Sequence, residues 1–261
     1  MGGELEAQGV PPGVIDDLTS SSLGQLTLLD PPDEDRDRRL GFATVGVVLM
    51  FTQLIGYCYW VAMGVVEEKS SRVIEVVLSK VRPRDLLAGK VLGIGGLGLA
   101  QLVLFVAVGL GTFSLADRFP IPPGVWPVTA AIVVAFVLGY LLYASLFSIA
   151  GAMAARVEDL QTTSTPFSLL VTGNYLAAMA TLGDPAGSLA YVLSFVPFSS
   201  PMVMPLRIAY GDAAVWEVAL AAAALIAMAV VLIRIAERVY RGGVLRTQRA
   251  TGFTELFHLA R

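Results

Sequence analysis

The side chains able to do chemistry are few. Glu67 and Glu68 are adjacent carboxylates followed by Lys69 and Arg72. In that spacing, E-E-x-x-x-R, paired glutamates can activate a water for peptide hydrolysis if histidines on neighbouring helices complete the general base. The one histidine, His258, sits in a polar C-terminal tail, so the constellation has no partner within an apolar segment. The one cysteine, Cys58, lies inside an uncharged run and reads as a small core residue; it cannot form an internal disulfide, and no His/Cys set has metal-ligand spacing. Gly93, Gly95 and Gly98 match G-x-G-x-x-G, but inside an uncharged run with no preceding strand, where a dinucleotide phosphate has nowhere to sit. Gly89/Gly93 and Gly96/Ala100 are better read as small-xxx-small pairs that let helices approach closely in lipid. There is no G-x-x-x-x-G-K-[ST], so the chain carries no P-loop. The expectation is no catalytic residue, no metal and no cofactor.

The elements that hold these residues are membrane helices. Of 261 residues 56% are apolar and 15% are charged, well under the ~25% charge of a soluble domain. Uncharged runs cover Leu40 to Val66, Val91 to Ala116, Phe119 to Ala155, Leu160 to Gly183 and Pro185 to Leu206. Each exceeds the ~20 residues needed to cross a bilayer. In the third, Pro120, Pro122, Pro123 and Pro127 push the span to about Val128–Gly151. A last span runs from Ala213 to Ile233, with Glu217 beside Trp216 at the headgroup level.

Basic residues set the orientation. Lys69, Arg72, Lys80, Arg82, Arg84 and Lys90 place the first connection in the cytoplasm, and Arg234, Arg238, Arg241, Arg246, Arg249 and Arg261 place the C-terminus there too. Parity then requires that the run holding Pro197, Pro201 and Pro205 not cross, so residues 185–207 read as a short re-entrant or external helical pair. The fold expected is an all-α, polytopic integral membrane helical bundle of five transmembrane helices plus that pair. Residues 40–238 form its membrane domain and 239–261 a cytoplasmic tail.

Residues 1–39 carry nine acids against three arginines, net −6, while the remainder carries twelve acids and fifteen bases, net +3. This gives an acidic external tail and no concentrated basic face, so no nucleic-acid partner. Along 67–82, Val73, Ile74, Val77, Leu78 and Val81 recur on one helical face, with charges of both signs on the others. A purely lipid-facing helix would be mostly basic; the mixed face suits a protein partner. For a path across the membrane the polar residues within the runs are the candidates: Gln53, Gln101, Thr162, Thr163, Ser164, Thr165 and Asn174, with Gln53, Gln101, Thr163 and Asn174 foremost. The competing role for each is a hydrogen bond between helices.

Three blocks carry a family resemblance. Val-Val-Glu-Glu-Lys-Ser-Ser-Arg-Val-Ile-Glu-Val-Val-Leu at 65–78, Arg-Pro-Arg-Asp-Leu-Leu-Ala-Gly-Lys-Val-Leu-Gly-Ile-Gly at 82–95, and Pro-Phe-Ser-Ser-Pro-Met-Val-Met-Pro-Leu-Arg at 197–207 resemble the permease subunits of ABC-2-type exporters, in particular the sodium-extruding Nat-type branch. Arg156-Val-Glu-Asp-Leu-Gln and Val239-Tyr-Arg-Gly-Gly-Val-Leu are similar to further landmarks of that family. The resemblance implies a half-transporter in a prokaryotic plasma membrane, forming a homo- or heterodimer with a second permease subunit amid membrane lipid and driven by a cytoplasmic ABC ATPase. It implies that 67–82 is the coupling helix, with Glu67, Glu68, Lys69, Arg72 and Glu75 facing the ATPase. It also implies a first span and large external domain of which residues 1–39 resemble only the end, so the chain reads as N-terminally shortened. The substrate class implied is sodium, a drug or a lipid-like molecule. Two other functions compete: a CAAX-type intramembrane protease using Glu67 and Glu68, and a membrane assembly factor without transport.

Overall fold

A computed structural model describes residues 33–70, 83–115 and 123–244. Asp33 starts the first helix: its carboxylate accepts from the backbone N–H of Asp35 and Arg36, both at 3.1 Å, and Glu34, Asp35 and Asp37 set negative charge on the helix's positive end. Helix α1 then runs without a break over Glu34–Ser70. It therefore takes in the last residues of the expected acidic tail and the first four of the expected coupling helix. α2 spans Pro83–Leu115, opening on a proline whose missing N–H would have been unpaired there anyway. α3 spans Val125–Met153, entered through Gly124 at φ 85, where a side chain would be strained.

α4 covers Val157–Ala180, with the Asp159 carboxylate accepting from the Arg156 backbone N–H at 3.1 Å. A 3-10 turn at Thr181–Gly183 leads to two short helices, α5 at Ser188–Phe195 and α6 at Ser200–Tyr210, and α7 closes the described chain over Val215–Val244. The helical pair expected between 185 and 207 is present as α5 and α6. The Tyr143 hydroxyl of α3 donates to the Phe198 carbonyl in the turn between them, and Pro201 lies where a Cβ on Gly139 would meet it at 3.0 Å.

The described residues form an all-α bundle built around α3, whose main packing partners are α1 and α7. The α1–α3 approach is close: a Cβ on Gly151 would come within 2.5 Å of the Ala62 carbonyl oxygen. Among the described residues four helices are long and apolar enough to cross a membrane, namely α1, α2, α3 and α7. The count differs from the five expected. α4 has the length, at 24 residues or about 36 Å, but its first half carries Gln161, Thr162, Thr163, Ser164, Thr165 and Pro166 and lowers its apolarity.

Candidate functional site

Glu68 lies two residues before the end of α1, and its carboxylate is shared by two other helices. Oε1 pairs with Lys90 Nζ of α2 at 2.9 Å, and Oε2 accepts a hydrogen bond from the Tyr240 hydroxyl of α7 at 3.0 Å. The lysine reaches across because Gly64 leaves room: a Cβ there would meet Lys90 Cδ and Nζ at 2.9 Å. Tyr240 is buried in a small apolar cluster with Val65, Leu87, Ile149, Ala152 and Met153. Its hydroxyl is thus held in place and supplies the polar end that a buried tyrosine needs. Three helices far apart in sequence meet on one charge.

The tie brackets residues 71–82, the greater part of the expected coupling segment 67–82. Glu68 stands just before residues 71–82 and Lys90 shortly after them, so the ion pair joins the two roots of that connection. Of the predicted coupling residues, Glu67 and Glu68 belong to α1; Lys69 is on the same helix, and Arg72 and Glu75 lie outside the described residues. Glu68 was expected as a contact for a partner. In the structure it is engaged within the chain.

The predicted path residues do not converge. The Tyr57 hydroxyl donates to Gln101 Oε1, linking α1 to α2. The Thr163 hydroxyl donates to the carbonyls of Asp159 and Leu160, and Asn174 Nδ2 donates to the Leu170 carbonyl at 2.8 Å, so both turn back on α4. Gln53 is different: it is buried, and neither end of its carboxamide has a hydrogen-bond partner among the described residues. An unpaired buried amide is destabilising by about 1–3 kcal/mol, and among the described residues Gln53 is left, like the Thr129 hydroxyl of α3, without a partner.

The glycines of α2 also sort themselves. Gly89, Gly93 and Gly96, expected at a packing face, have nothing within 4 Å of a Cβ position. Within this chain α2 packs through the other face, where a Cβ on Gly95 would run into the Tyr140 ring and one on Gly98 would meet Tyr57 at 2.9 Å. Tyr140 is fixed there by its hydroxyl, which donates to the Val91 carbonyl at 2.8 Å.

One charged cluster went unread in the sequence. Arg207, near the C-terminal end of α6, is 1% exposed and pairs with Glu217 Oε2 of α7 at 2.8 Å and with Asp212 Oδ2 at 3.3 Å. Its guanidinium also donates to Ser194 Oγ at 3.0 Å and lies 5.2 Å from the Tyr191 ring centre. Glu217 was expected among headgroups; it is 7% exposed, inside the protein. The available signal was an arginine ending a 22-residue uncharged run with two acids within the next ten residues, since a charge that near the membrane needs a partner.

Comparison with known proteins follows the same outline. The family described as ABC-2 family transporter protein matches residues 20–236. The chain is 33% identical over 231 residues to the uncharacterized protein YhaP of Bacillus subtilis, covering 85% of this chain and 55% of that protein. It is 25% identical over 199 residues to the uncharacterized protein MJ1024 of Methanocaldococcus jannaschii, covering 76% of this chain and 48% of that one. The chain thus spans about half the length of the curated relatives it matches. No solved structure matches it.

Proposed function

The chain belongs to the ABC-2 family of transporter proteins, and from that premise we propose that it is the membrane permease subunit of an ATP-driven exporter. It works beside a second permease subunit and is powered by a separate cytoplasmic ATPase. The observation that supports coupling is the Glu68–Lys90–Tyr240 tie across the roots of residues 71–82. A partner that docks on 67–82 and moves it pulls on α1, α2 and α7 together, because the same carboxylate holds all three. Packed helices shift as units rather than deform locally, so such a pull rocks the bundle.

In this reading the Glu68 end faces the cytoplasm, α4 makes the fifth crossing, and α5–α6 stay at the outer side without crossing. Arg72, Glu75, Glu67 and Lys69 remain the docking contacts, while Glu68 transmits. Sodium, a drug or a lipid-like molecule is the cargo, and bond chemistry stays in the ATPase. A protease using Glu67 and Glu68 is not favoured, since both oxygens of Glu68 are engaged by Lys90 and Tyr240.

The test is affinity co-purification from membranes, with the partner identified by its P-loop. Wild type is expected to bring down an ABC ATPase, and an Arg72→Glu/Glu75→Arg double variant to lose it. Glu68→Gln is expected to keep the ATPase but to lose the response of ATP hydrolysis to the permease. If intact wild-type membranes yield no ATPase, the permease reading fails; if Glu68→Gln loses the ATPase as fully as the double variant, Glu68 is a contact and not a transmitter.

A further inference from the structure

At the Arg207 end of the bundle, α3, α6 and α7 form a cleft of about 570 Å³, within the ~300–1,000 Å³ typical of small-molecule sites. Its floor is α6, through Pro201 and Pro205. Its walls are cut back by alanines, Ala130 and Ala135 on α3 and Ala219 and Ala222 on α7, whose side chains are too short to close over α6. The cleft cannot collapse, because α6 is fixed to both neighbours: Arg207 pairs with Glu217 of α7 at 2.8 Å, and Pro201 lies where a Cβ on Gly139 of α3 would meet it at 3.0 Å. Ser200 is the one polar side chain among the lining residues, and none of them is charged. Val134 on the rim is exposed, so the cleft opens sideways, away from the bundle.

Depth, width and charge together identify what fills it. Trp126 and Trp216, both exposed, stand at the α3 and α7 ends of the cleft, and exposed tryptophan marks the headgroup level. From there the lining runs from Pro127 to Leu138 on α3 and from Val215 to Leu225 on α7, about 16 Å at ~1.5 Å per residue, or about half of a ~30 Å hydrocarbon core. The cleft therefore spans one leaflet, from headgroups to midplane. Spread over that length, its volume gives a cross-section of about 35 Å², whereas a helix 10–12 Å across fills about 80–110 Å². A single hydrocarbon chain fits, and a helix of another subunit does not. With no charged side chain in the lining, the match is to a neutral body over the whole length.

We propose that the cleft binds one acyl chain of a phospholipid from the leaflet at the Arg207 end. Lipid tails are as apolar as the walls, so the preference comes from packing. A groove left partly empty forfeits the dispersion contacts of its lining, and a chain laid along α6 restores them. The proposed orientation of the permease makes this the outer leaflet; the site itself needs neither that orientation nor an ATPase.

The test titrates the full chain in detergent micelles with phosphatidylcholine carrying a diazirine on one acyl chain, irradiates, and locates the adducts by peptide mass spectrometry. Adducts on the cleft are expected to saturate near one per chain, while those on Leu104 and Val108, exposed on α2, rise in proportion to added lipid. Moving the diazirine from the carboxyl end to the methyl end of the chain should shift the cleft adducts from the level of Ala130 and Val215 to that of Leu138 and Leu225. Ala130→Trp and Ala219→Trp fill the cleft from opposite walls, and since both residues are exposed the rings stay out of the core; each should abolish the cleft adducts and leave those on α2 unchanged. Adducts that rise in proportion on both faces show ordinary surrounding lipid and overturn the proposal. So do cleft adducts unchanged in both variants, or none on folded wild type, as when another protein covers the cleft. A chain that recruits an ATPase but shows no saturable labelling loses only this site; one that labels as expected but recruits no ATPase loses the permease reading and keeps the site.

Discussion

At one end of α7, Glu217 closes on Arg207 in a cluster drawn from residues 191–217; about 35 Å away at ~1.5 Å per residue, Tyr240 of the same helix meets Glu68 and Lys90, which come from two other helices. The first tie is local in sequence and almost fully buried. The second joins distant segments and is partly open, with side-chain exposures of 15% and 25% for the lysine and glutamate. In a buried pair the attraction is unscreened, so removing one member strands the other as an uncompensated charge; a partly exposed pair is screened, and water can replace it and let it re-form. The contrast teaches which end is a fixed joint and which can give. α5 and α6 are clamped to α7, whereas the junction of α1, α2 and α7 is held by contacts weak enough to break and re-form.

The largest expected effect tests the fixed joint. Arg207→Met leaves Glu217 buried without its cation and should destabilise the protein by about 3–5 kcal/mol, read as an earlier loss of monodisperse protein on heating in detergent. Adding Glu217→Leu should recover much of that loss; no recovery would mean that the arginine acts through Ser194 and Tyr191 instead of the ion pair.

Close backbone approach comes next, and it checks that the charged ties are not the whole of what orders α2. Gly95→Ala forces a methyl onto the Tyr140 ring and should be destabilising by about 1–3 kcal/mol, while Gly93→Ala, with open space around it, should fall within about 0.5 kcal/mol of wild type. Equal effects in the isolated subunit would show that the outward face is packed too.

Smaller still is the yielding joint. Glu68→Gln should be destabilising by about 1–2 kcal/mol and Tyr240→Phe by about 1 kcal/mol, and a Glu68→Lys/Lys90→Glu exchange should restore part of the first loss. A Glu68→Gln loss as large as that of Arg207→Met would erase the distinction between the ends. The finest discrimination is by salt: raising ionic strength to 1 M shortens the screening length to about 3 Å, so it should narrow the difference between wild type and Glu68→Gln while leaving that between wild type and Arg207→Met unchanged in the same melting assay.

Much of this was legible in the residues. The uncharged runs announced the helices, and Asp33 followed by Glu34 and Asp35 carried the signature of a helix start, although the acids read first as part of a tail. The prolines at 197, 201 and 205 correctly forecast two short helices in place of a span. The fifth crossing was less secure, because a run can be free of charge and still be polar, as α4 is through its glutamine, threonines, serines and asparagine. Glu67 and Glu68 look alike in sequence; only the fold separates the one that holds Lys90 and Tyr240.

The sequence by itself determined the membrane class, the positions of the long helices and the family, since these depend on composition and on local order along the chain. The tertiary structure decided which faces pack and which charges pair. In a soluble helix the apolar stripe identifies the buried side, but α2 is apolar around its whole circumference, so no periodicity distinguishes Gly93 from Gly95. Ion pairs such as Glu68 with Lys90 leave no trace in spacing either, because the distance that matters is fixed by how α1 and α2 lie against each other and not by the number of residues between them.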